Sequence, residues 1–283
     1  TQGMVCHQTY KNDKNEWLFP KDVIKIDDKF FTLDEEKLVS PGRIEKMSKS
    51  KKNVIDPNTI VDTFGSDTAR FFILSDSPPQ RDMEWTDEGV DGSWKFLSKL
   101  WNLINSYDFC SIKTENINPI ENKDFHIITA TNKCINDVTN SIESFHFNIA
   151  IASIRTLYNE LNSFKVFGKE CLKFKKYSIS KLLILLNPIC PHIAEEGWYL
   201  LGFKTLISEE SWPEVDFKFL EKTRLTIPIQ INGKRRGEIN ISQNQNENEV
   251  EKLALTHKNI NKFLTKEPKK IIYVPNKIIN IVI

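Results

Sequence analysis

Several features that would indicate other classes of protein are missing from these 283 residues. The five cysteines are scattered without a Cys-x-x-Cys pair, so neither a disulfide framework nor a cysteine zinc site is indicated. No apolar run is long enough to span a bilayer, and no signal-peptide pattern is present. The sequence also lacks the Gly-x-x-x-x-Gly-Lys motif of P-loop proteins. We therefore expect reduced thiols, a cytoplasmic location and no membrane partner.

The net charge of +1 is spread unevenly along the chain. Residues 1–85 and 86–222 are slightly acidic, whereas residues 223–283 carry eleven basic and five acidic side chains. A small basic unit suggests an anionic partner, and nucleic acid is the most common one. The length leaves room for two or three modest domains with cores of their own.

The most informative stretch is Lys46-Met47-Ser48-Lys49-Ser50. Two lysines three residues apart, each with a serine close behind, can collect around a polyphosphate. Ammonium groups act there as movable point charges, and hydroxyls add hydrogen-bond donors. A lysine-rich loop is nevertheless most often a solvated surface segment, and composition alone favours that interpretation.

The sequence around this loop predicts short elements. Val23–Ile26 and Lys29–Thr32 predict a hairpin, and Pro41-Gly42 predicts a turn just before the loop. Asp56-Pro57 predicts the start of a helix with an aspartate cap. Ser66 predicts the cap of a second short helix.

Residues 86–212 have the apolar periodicity of a helical bundle. Helices are expected near 86–104, 124–141, 148–164, 170–186 and 192–201, with a surface connection at 111–123. Aromatic residues at helical spacing, such as Trp101, are expected in the core. His192 could be oriented by Glu195 one helical turn away, but a structural histidine at a helix start is the expected interpretation.

Residues 223–283 predict a small α+β unit with about four strands. Asn232-Gly233 is a strong signal for a tight hairpin. The return strand begins with Lys234, Arg235 and Arg236. Three contiguous cations on a basic unit favour contact with an RNA backbone over a merely solubilising turn.

With these pieces placed, the whole chain resembles the C-terminal part of bacterial-type leucyl-tRNA synthetases, which are class I aminoacyl-tRNA synthetases. The stretches that carry the resemblance are Gln2–Val5, Lys46–Ser50 with Asn53 and Asp56-Pro57, Gly65–Arg70, Glu84-Trp85, Gly89-Val90 with Gly92, Pro188 with Pro191–Glu196, Trp212-Pro213, Gln230–Lys234 with Arg236, and Ile272–Lys277. Valyl relatives typically end in a heptad-patterned arm and isoleucyl relatives commonly end in a cysteine zinc site. Neither pattern is visible here, which favours leucine.

The resemblance implies an α+β multidomain fold. Residues 1–85 would be the end of a class I nucleotide-binding catalytic domain, with strands like the leucine-specific insertion and the signature loop. Residues 86–222 would form an α-helical bundle of the anticodon-binding type. Residues 223–283 would form a small α+β tRNA-binding domain.

The same resemblance implies a function and its site residues. The family joins leucine to ATP as leucyl-adenylate and transfers it to tRNA(Leu). Lys46 and Lys49 would be catalytic, and Lys46, Met47, Ser48, Lys49 and Ser50 would bind ATP, with Met47 better read as an apolar anchor. Lys234, Arg235 and Arg236 would bind tRNA. ATP with Mg2+, leucine and tRNA(Leu) are the implied partners of a monomer without a protein metal site.

One departure from the family pattern limits what this chain can do. The second class I signature, His-x-Gly-His, does not occur here. We therefore expect a fragment of a longer polypeptide that does not form adenylate alone. Two alternatives are a non-catalytic tRNA-binding module derived from a synthetase and a protein-interaction scaffold whose basic loop is merely solvated.

Overall fold

The computed structural model describes residues 3–34, 36–113, 125–220, 224–242, 246–261, 263 and 268–283. The chain divides into two compact units, residues 1–214 and residues 215–283. The three domains expected from the sequence, with boundaries at 85 and 222, stay a prediction. Gln2 and most of the predicted connection at 111–123 lie outside the described residues.

In the described part of the first unit, six strands form one sheet. They are β1 (Val5–Lys11), β2 (Trp17–Leu18), β3 (Val23–Ile26), β4 (Lys29–Thr32), β5 (Leu38–Lys46) and β6 (Met83–Glu84). Their order is β2-β1-β5-β4-β3, and β6 runs parallel to the start of β1. The predicted hairpin between β3 and β4 is confirmed, with Asp27 and Asp28 at positive φ in its turn.

The predicted turn at Pro41-Gly42 is wrong, because both residues lie inside β5. Pro41 pairs with Tyr10 of β1, and the ladder between β1 and β5 shifts register just beyond it, where Thr9 lies opposite Gly42 and Arg43. Such an irregularity accommodates a proline, which has no N–H for the ladder. The Thr9 hydroxyl donates to the carbonyl of Arg43 at 2.8 Å, so a side chain replaces part of the interrupted pairing.

Two short helices follow the cationic stretch, α1 (Pro57–Phe64) and α2 (Ser66–Asp76). Asp56 caps α1 as predicted, since its carboxylate accepts from the N–H of Asn58 at 2.9 Å. The predicted cap of α2 is wrong, because Gly65 holds that position at φ 84° and Ser66 is already helical. Glycine adopts this φ without the steric penalty of a side chain.

Five further α-helices of the first unit lie within the described residues. They are α3 (Asp87–Ile104), α4 (Phe125–Glu143), α5 (Phe147–Ser163), α6 (Lys169–Leu186) and α7 (Pro191–Leu200). These confirm the predicted helices with ends shifted by a residue or two. The apolar face of α3 is buried, but Trp101 is 36% exposed, so its predicted place in the core is wrong. It lies on the edge of the face rather than at its centre.

Helices α2 and α3 approach each other closely at Gly89. A Cβ atom at this position would lie 2.4 Å from Cε2 of Phe72, whose ring is buried. Thr86 caps α3 here as predicted, because its Oγ1 accepts from the N–H of Gly89 at 3.2 Å. A residue without a side chain therefore sets the spacing of the two helices.

Polar side chains of α2 hold the start of α7. One oxygen of Asp67 accepts from the N–H of Ile193 at 2.7 Å, and the other lies 2.9 Å from Nδ1 of His192. Arg70 donates to the two carbonyls just before α7, at 2.7 and 2.9 Å. A carboxylate at a helix N-terminus satisfies free N–H groups and complements the helix dipole. Asp67 therefore caps a helix distant in sequence, besides lying in the first turn of its own.

The second unit contains a four-stranded sheet of order β8-β7-β10-β9. Its described elements are α8 (Phe217–Leu220), β7 (Arg224–Ile231), β8 (Lys234–Ser242), α9 (Glu247–Leu255), α10 (Lys258–Asn261), β9 (Lys270–Val274) and β10 (Ile278–Val282). The predicted tight hairpin is confirmed, with Asn232 and Gly233 both at positive φ. Isoleucines from the strands pack with Val250, Ala254 and Ile260 of the helices into one core.

All five cysteines carry free thiols, and Cys134, Cys171 and Cys190 are buried. Within the described ranges, no helix has both the length and the apolar character needed to cross a membrane. No group of three or more His, Cys, Asp or Glu side chains in this part of the chain is placed to hold a metal ion.

Replacing Asp67 by alanine should lower the free energy of unfolding by about 1–3 kcal/mol, because partly buried donors at the start of α7 lose their buried acceptor. Urea denaturation followed by tryptophan fluorescence measures the change. Asp62→Ala, on the exposed surface of α1, is the matched control and should stay within about 0.5 kcal/mol. An equal loss in both variants would contradict the capping role.

Candidate functional site

The five predicted ATP-binding residues lie where β5 ends. Lys46 is the last residue of that strand and pairs with Cys6 of β1, whereas Lys49 opens a short 3₁₀ turn at Lys49–Lys51. Lys46 and Lys49 are both exposed. No carboxylate among the described residues forms an ion pair with either ammonium group. The ammonium groups of the two predicted catalytic lysines are therefore exposed and have no ion-pair partner within the described residues.

The neighbouring side chains of this loop have other contacts. Lys51 forms an ion pair with Glu45, and the hydroxyls of Ser48 and Ser50 lie 2.8 Å apart. Only one of the two hydroxyls can donate to the other, so one hydroxyl hydrogen is left for a ligand. Glu45 therefore neutralises the charge of Lys51 and leaves the charges of Lys46 and Lys49 unpaired within the described residues.

Met47 fastens the loop from its apolar side. Its side chain packs against a buried cluster that includes Ile60, Phe72 and Trp85. Its N–H donates to the carbonyl of Val5 at 3.0 Å. This placement agrees with an anchor for the loop and not with a chemical role for the thioether.

Asn53 also holds this loop in place through hydrogen bonds of its side chain. The sequence analysis assigned no role to this residue. Its side chain is fully buried and hydrogen-bonds to the backbone at the start and in the middle of the loop. Lys52, just before it, has φ 56°, and this left-handed conformation brings the chain back beneath the loop. The family resemblance includes Asn53, but it does not indicate a role, because burial is not visible in sequence.

The structure separates His192 from Glu195. The His192 ring is 75% exposed and pairs with Asp67 of α2. The Glu195 carboxylate instead accepts from the N–H of Ile207 at 3.2 Å. His192 therefore lies at the start of α7, as expected for a structural histidine. Its partner is Asp67 of α2 and not Glu195 of its own helix.

The three predicted tRNA-binding cations point in different directions from the β7–β8 hairpin. Lys234 is exposed and has no carboxylate partner in the described part of the chain. Arg235 forms an ion pair with Glu238 at 2.7 Å. The guanidinium of Arg236 lies 4.6 Å from the ring centre of Phe263. The hairpin therefore does not present three equivalent charges.

The sheet brings two further cations to the same end as the hairpin tip. Strand β10 runs parallel to β7, with Ile281 beside Ile231 at the tip. Strand β9 runs antiparallel to β10, with Lys270 beside Val282. Lys269 and Lys270 therefore lie at the tip end of the sheet, and both are exposed. Sequence analysis missed them because this grouping depends on strand order.

Two family models match parts of the chain. Residues 30–86 match "tRNA synthetases class I (I, L, M and V)", and residues 124–252 match "Anticodon-binding domain of tRNA ligase". The first range contains the cationic loop. The second contains four helices of the bundle and the basic hairpin.

Similarity along the whole chain extends to leucine–tRNA ligases of bacteria. Those of Rickettsia bellii and Paramagnetospirillum magneticum are 43% and 37% identical over the whole chain, which spans 33% of each relative. The crystal structure of the Agrobacterium radiobacter K84 LeuRS–tRNA–LeuAMS ternary complex matches 84% of this chain and 31% of its own, with 31% identity and a TM-score of 0.68.

The chain is thus homologous along its whole length to bacterial leucine–tRNA ligases and corresponds to their C-terminal part. The predicted family and fold class are confirmed.

Amine labelling should distinguish the free loop lysines from buried ones. Lys46 and Lys49 should react with limiting acetic anhydride well before Lys175 and Lys176, which are 4% and 5% exposed. Burial lowers the pKa of both buried ammonium groups and so favours the reactive neutral amine, which makes restricted access the only cause of slow labelling. Peptide mass spectrometry measures the rates, and equal rates would contradict the exposed placement of the loop.

Proposed function

We propose that this chain is the part of a leucine–tRNA ligase that contacts the ATP phosphates and the tRNA. The whole enzyme would activate leucine with ATP and transfer it to tRNA(Leu). The leucine pocket and the second class I signature would come from the remaining two thirds of such a protein. The observation that carries the proposal is the cationic loop, which keeps Lys46 and Lys49 exposed above a fixed base.

The chemistry of activation explains why such cations matter. A carboxylate oxygen of leucine attacks the α-phosphorus of ATP, and the bond from that phosphorus to the bridging oxygen of pyrophosphate breaks. Negative charge grows on the departing pyrophosphate as this bond breaks. Cations already aimed at those oxygens stabilise the transition state more than the ground state.

Each loop residue then has a role that its placement supports. Lys49 makes the main phosphate contact because it leads the 3₁₀ turn and carries no ion pair within the described residues. Lys46 assists from the end of β5, and the hydroxyl pair of Ser48 and Ser50 donates the one hydrogen that their mutual bond leaves free. We infer a cytoplasmic monomer that uses ATP with its Mg2+ as a substrate.

Lys49→Ala in the full-length enzyme should lower kcat for leucine-dependent pyrophosphate exchange by roughly 100- to 1000-fold, as for the loss of one preorganised donor. The KM for leucine should change little, because the Lys49 ammonium binds the leaving group and not the amino acid. Lys52→Ala is the matched control, since that ammonium lies 5.3 Å from the ring centre of Phe19. Equal losses of kcat in both variants would count against the assigned role.

The basic end of the second unit is the proposed tRNA contact. Lys234, Arg235 and Arg236 would be joined there by Lys269 and Lys270, which lie at the same end of the sheet. Phosphate contacts by such side chains depend strongly on salt and carry little sequence information. Both side chains of the ion pair between Arg235 and Glu238 are exposed, and such pairs contribute little free energy. An RNA phosphate can therefore replace Glu238 at the guanidinium with a small loss of stability.

Lys234→Glu should weaken tRNA binding and reduce the dependence of log K on log salt by about one unit for each phosphate that the variant no longer neutralises. Filter binding at two salt concentrations measures both effects. Lys277→Glu is the control, because Lys277 lies in the turn between β9 and β10 at the opposite end of the same sheet. Pyrophosphate exchange should be unchanged in both variants. A similar loss of binding in the control would show that the effect comes from the net charge of the protein, and it would contradict a local contact of Lys234 with tRNA.

A further inference from the structure

A single buried amide connects the cationic loop to the first sheet. The Nδ2 atom of Asn53 donates to the carbonyls of His7 at 3.1 Å, Glu45 at 3.0 Å and Lys46 at 3.3 Å. Its Oδ1 atom accepts from the N–H of Ser48 at 2.9 Å. The side chain has 0% exposure. It therefore joins strand β1, the end of β5 and the loop itself.

The partners of this amide lie beside the loop lysines in sequence. The carbonyls of Glu45 and Lys46 lie at the start of the loop, and the N–H of Ser48 lies between Lys46 and Lys49. Because the amide is buried, losing any of these partners would leave a polar group unsatisfied. The two lysines therefore leave the sheet at a place and in a direction that Asn53 determines.

No other residue type reproduces this arrangement. Three carbonyl oxygens share the two N–H hydrogens of this amide, and one N–H donates to its oxygen, so the side chain presents both functions over a short reach. Aspartate would place a negative charge beside three carbonyl oxygens. Leucine, of similar size, has neither a hydrogen-bond donor nor an acceptor. Glutamine carries the amide one methylene farther from the backbone, and a fully buried site tolerates an added methylene poorly.

The other contacts of the loop hold it less firmly. The ion pair between Lys51 and Glu45 joins side chains that are 39% and 33% exposed, and exposed pairs contribute little. Met47 anchors the loop at one point through its N–H and apolar packing. Asn53 is the contact that fixes the start and the middle of the loop in relation to each other and to the residue that follows the 3₁₀ turn and Lys52.

We propose that Asn53 is a positioning residue that holds Lys46 and Lys49 where they meet the phosphates of ATP. It touches neither substrate nor reacting atoms, and acts by fixing the loop base. The proposal deepens the function proposed above and rests on it. A displacement of about 1 Å in a charged group that stabilises the transition state can lower a rate by about 100-fold, so the geometry of this base matters for the rate.

Hydrogen–deuterium exchange tests the geometry without any need for activity. In the unaltered chain, the Ser48 amide should exchange at least about tenfold more slowly than those of Lys49 and Ser50, which precede the first hydrogen bond of the turn. Asn53→Ala should abolish this difference. Asn132→Ala is the matched control, because Asn132 is also buried and donates to a carbonyl, but lies in α4. Equal exchange at all three amides of the unaltered chain, or protection retained in Asn53→Ala, overturns the proposal.

Pyrophosphate exchange by the full-length enzyme tests the role in catalysis. Asn53→Ala should lower kcat about 10- to 100-fold with little change in the KM for leucine, whereas Asn132→Ala should leave both nearly unchanged. Lys49→Ala, measured in parallel, separates the two proposals. If Lys49→Ala has no effect, the proposed function fails. If Lys49→Ala lowers kcat and Asn53→Ala does not, the function stands and the positioning role is overturned.

Discussion

The structure of the first unit depends on the carboxylate of Asp67. It is nearly buried on α2, yet its hydrogen bonds go to the start of α7, more than a hundred residues later in the chain. Helix α2 also follows the loop and α1 directly, so its position relates the loop to the bundle. With Arg70 on the carbonyls before α7, one face of α2 satisfies both the donors and the acceptors of that junction. The part that would hold phosphates and the part matched by the anticodon-binding model thereby share one rigid contact.

Local signals in the sequence predict the elements well. Helical periodicity in α3 to α7, the aspartate cap before α1 and Asn232-Gly233 in the hairpin each reflect constraints that act over a few residues. The errors arise where distant strands or helices decide. Pro41-Gly42 has turn chemistry but is held in β5 by the pairing with β1. Ser66 has cap chemistry, but the chain places Gly65 there and Asp67 turns to another helix.

The residues of the candidate sites also divide into those that a local sequence pattern shows and those that only the fold brings together. The loop lysines are visible as a pattern because five contiguous residues carry it. Asn53 and Lys270 are not visible, since their roles follow from burial and from strand order. The sequence identifies the three hairpin cations, but not that their contacts differ. Arg235 pairs with Glu238 and Arg236 lies over the ring of Phe263, and both contacts depend on the fold.

The close approach at Gly89 has a consequence for how this sequence can vary. The ring of Phe72 occupies the space that any side chain at position 89 would need. A larger residue there is tolerable only together with a smaller one at position 72 and a shift of the Thr86 hydroxyl, 2.8 Å from the added Cβ atom, or with helices set farther apart. Because α2 is also fixed at α7, the second route is closed, and the two positions should change in evolution as a pair of complementary sizes.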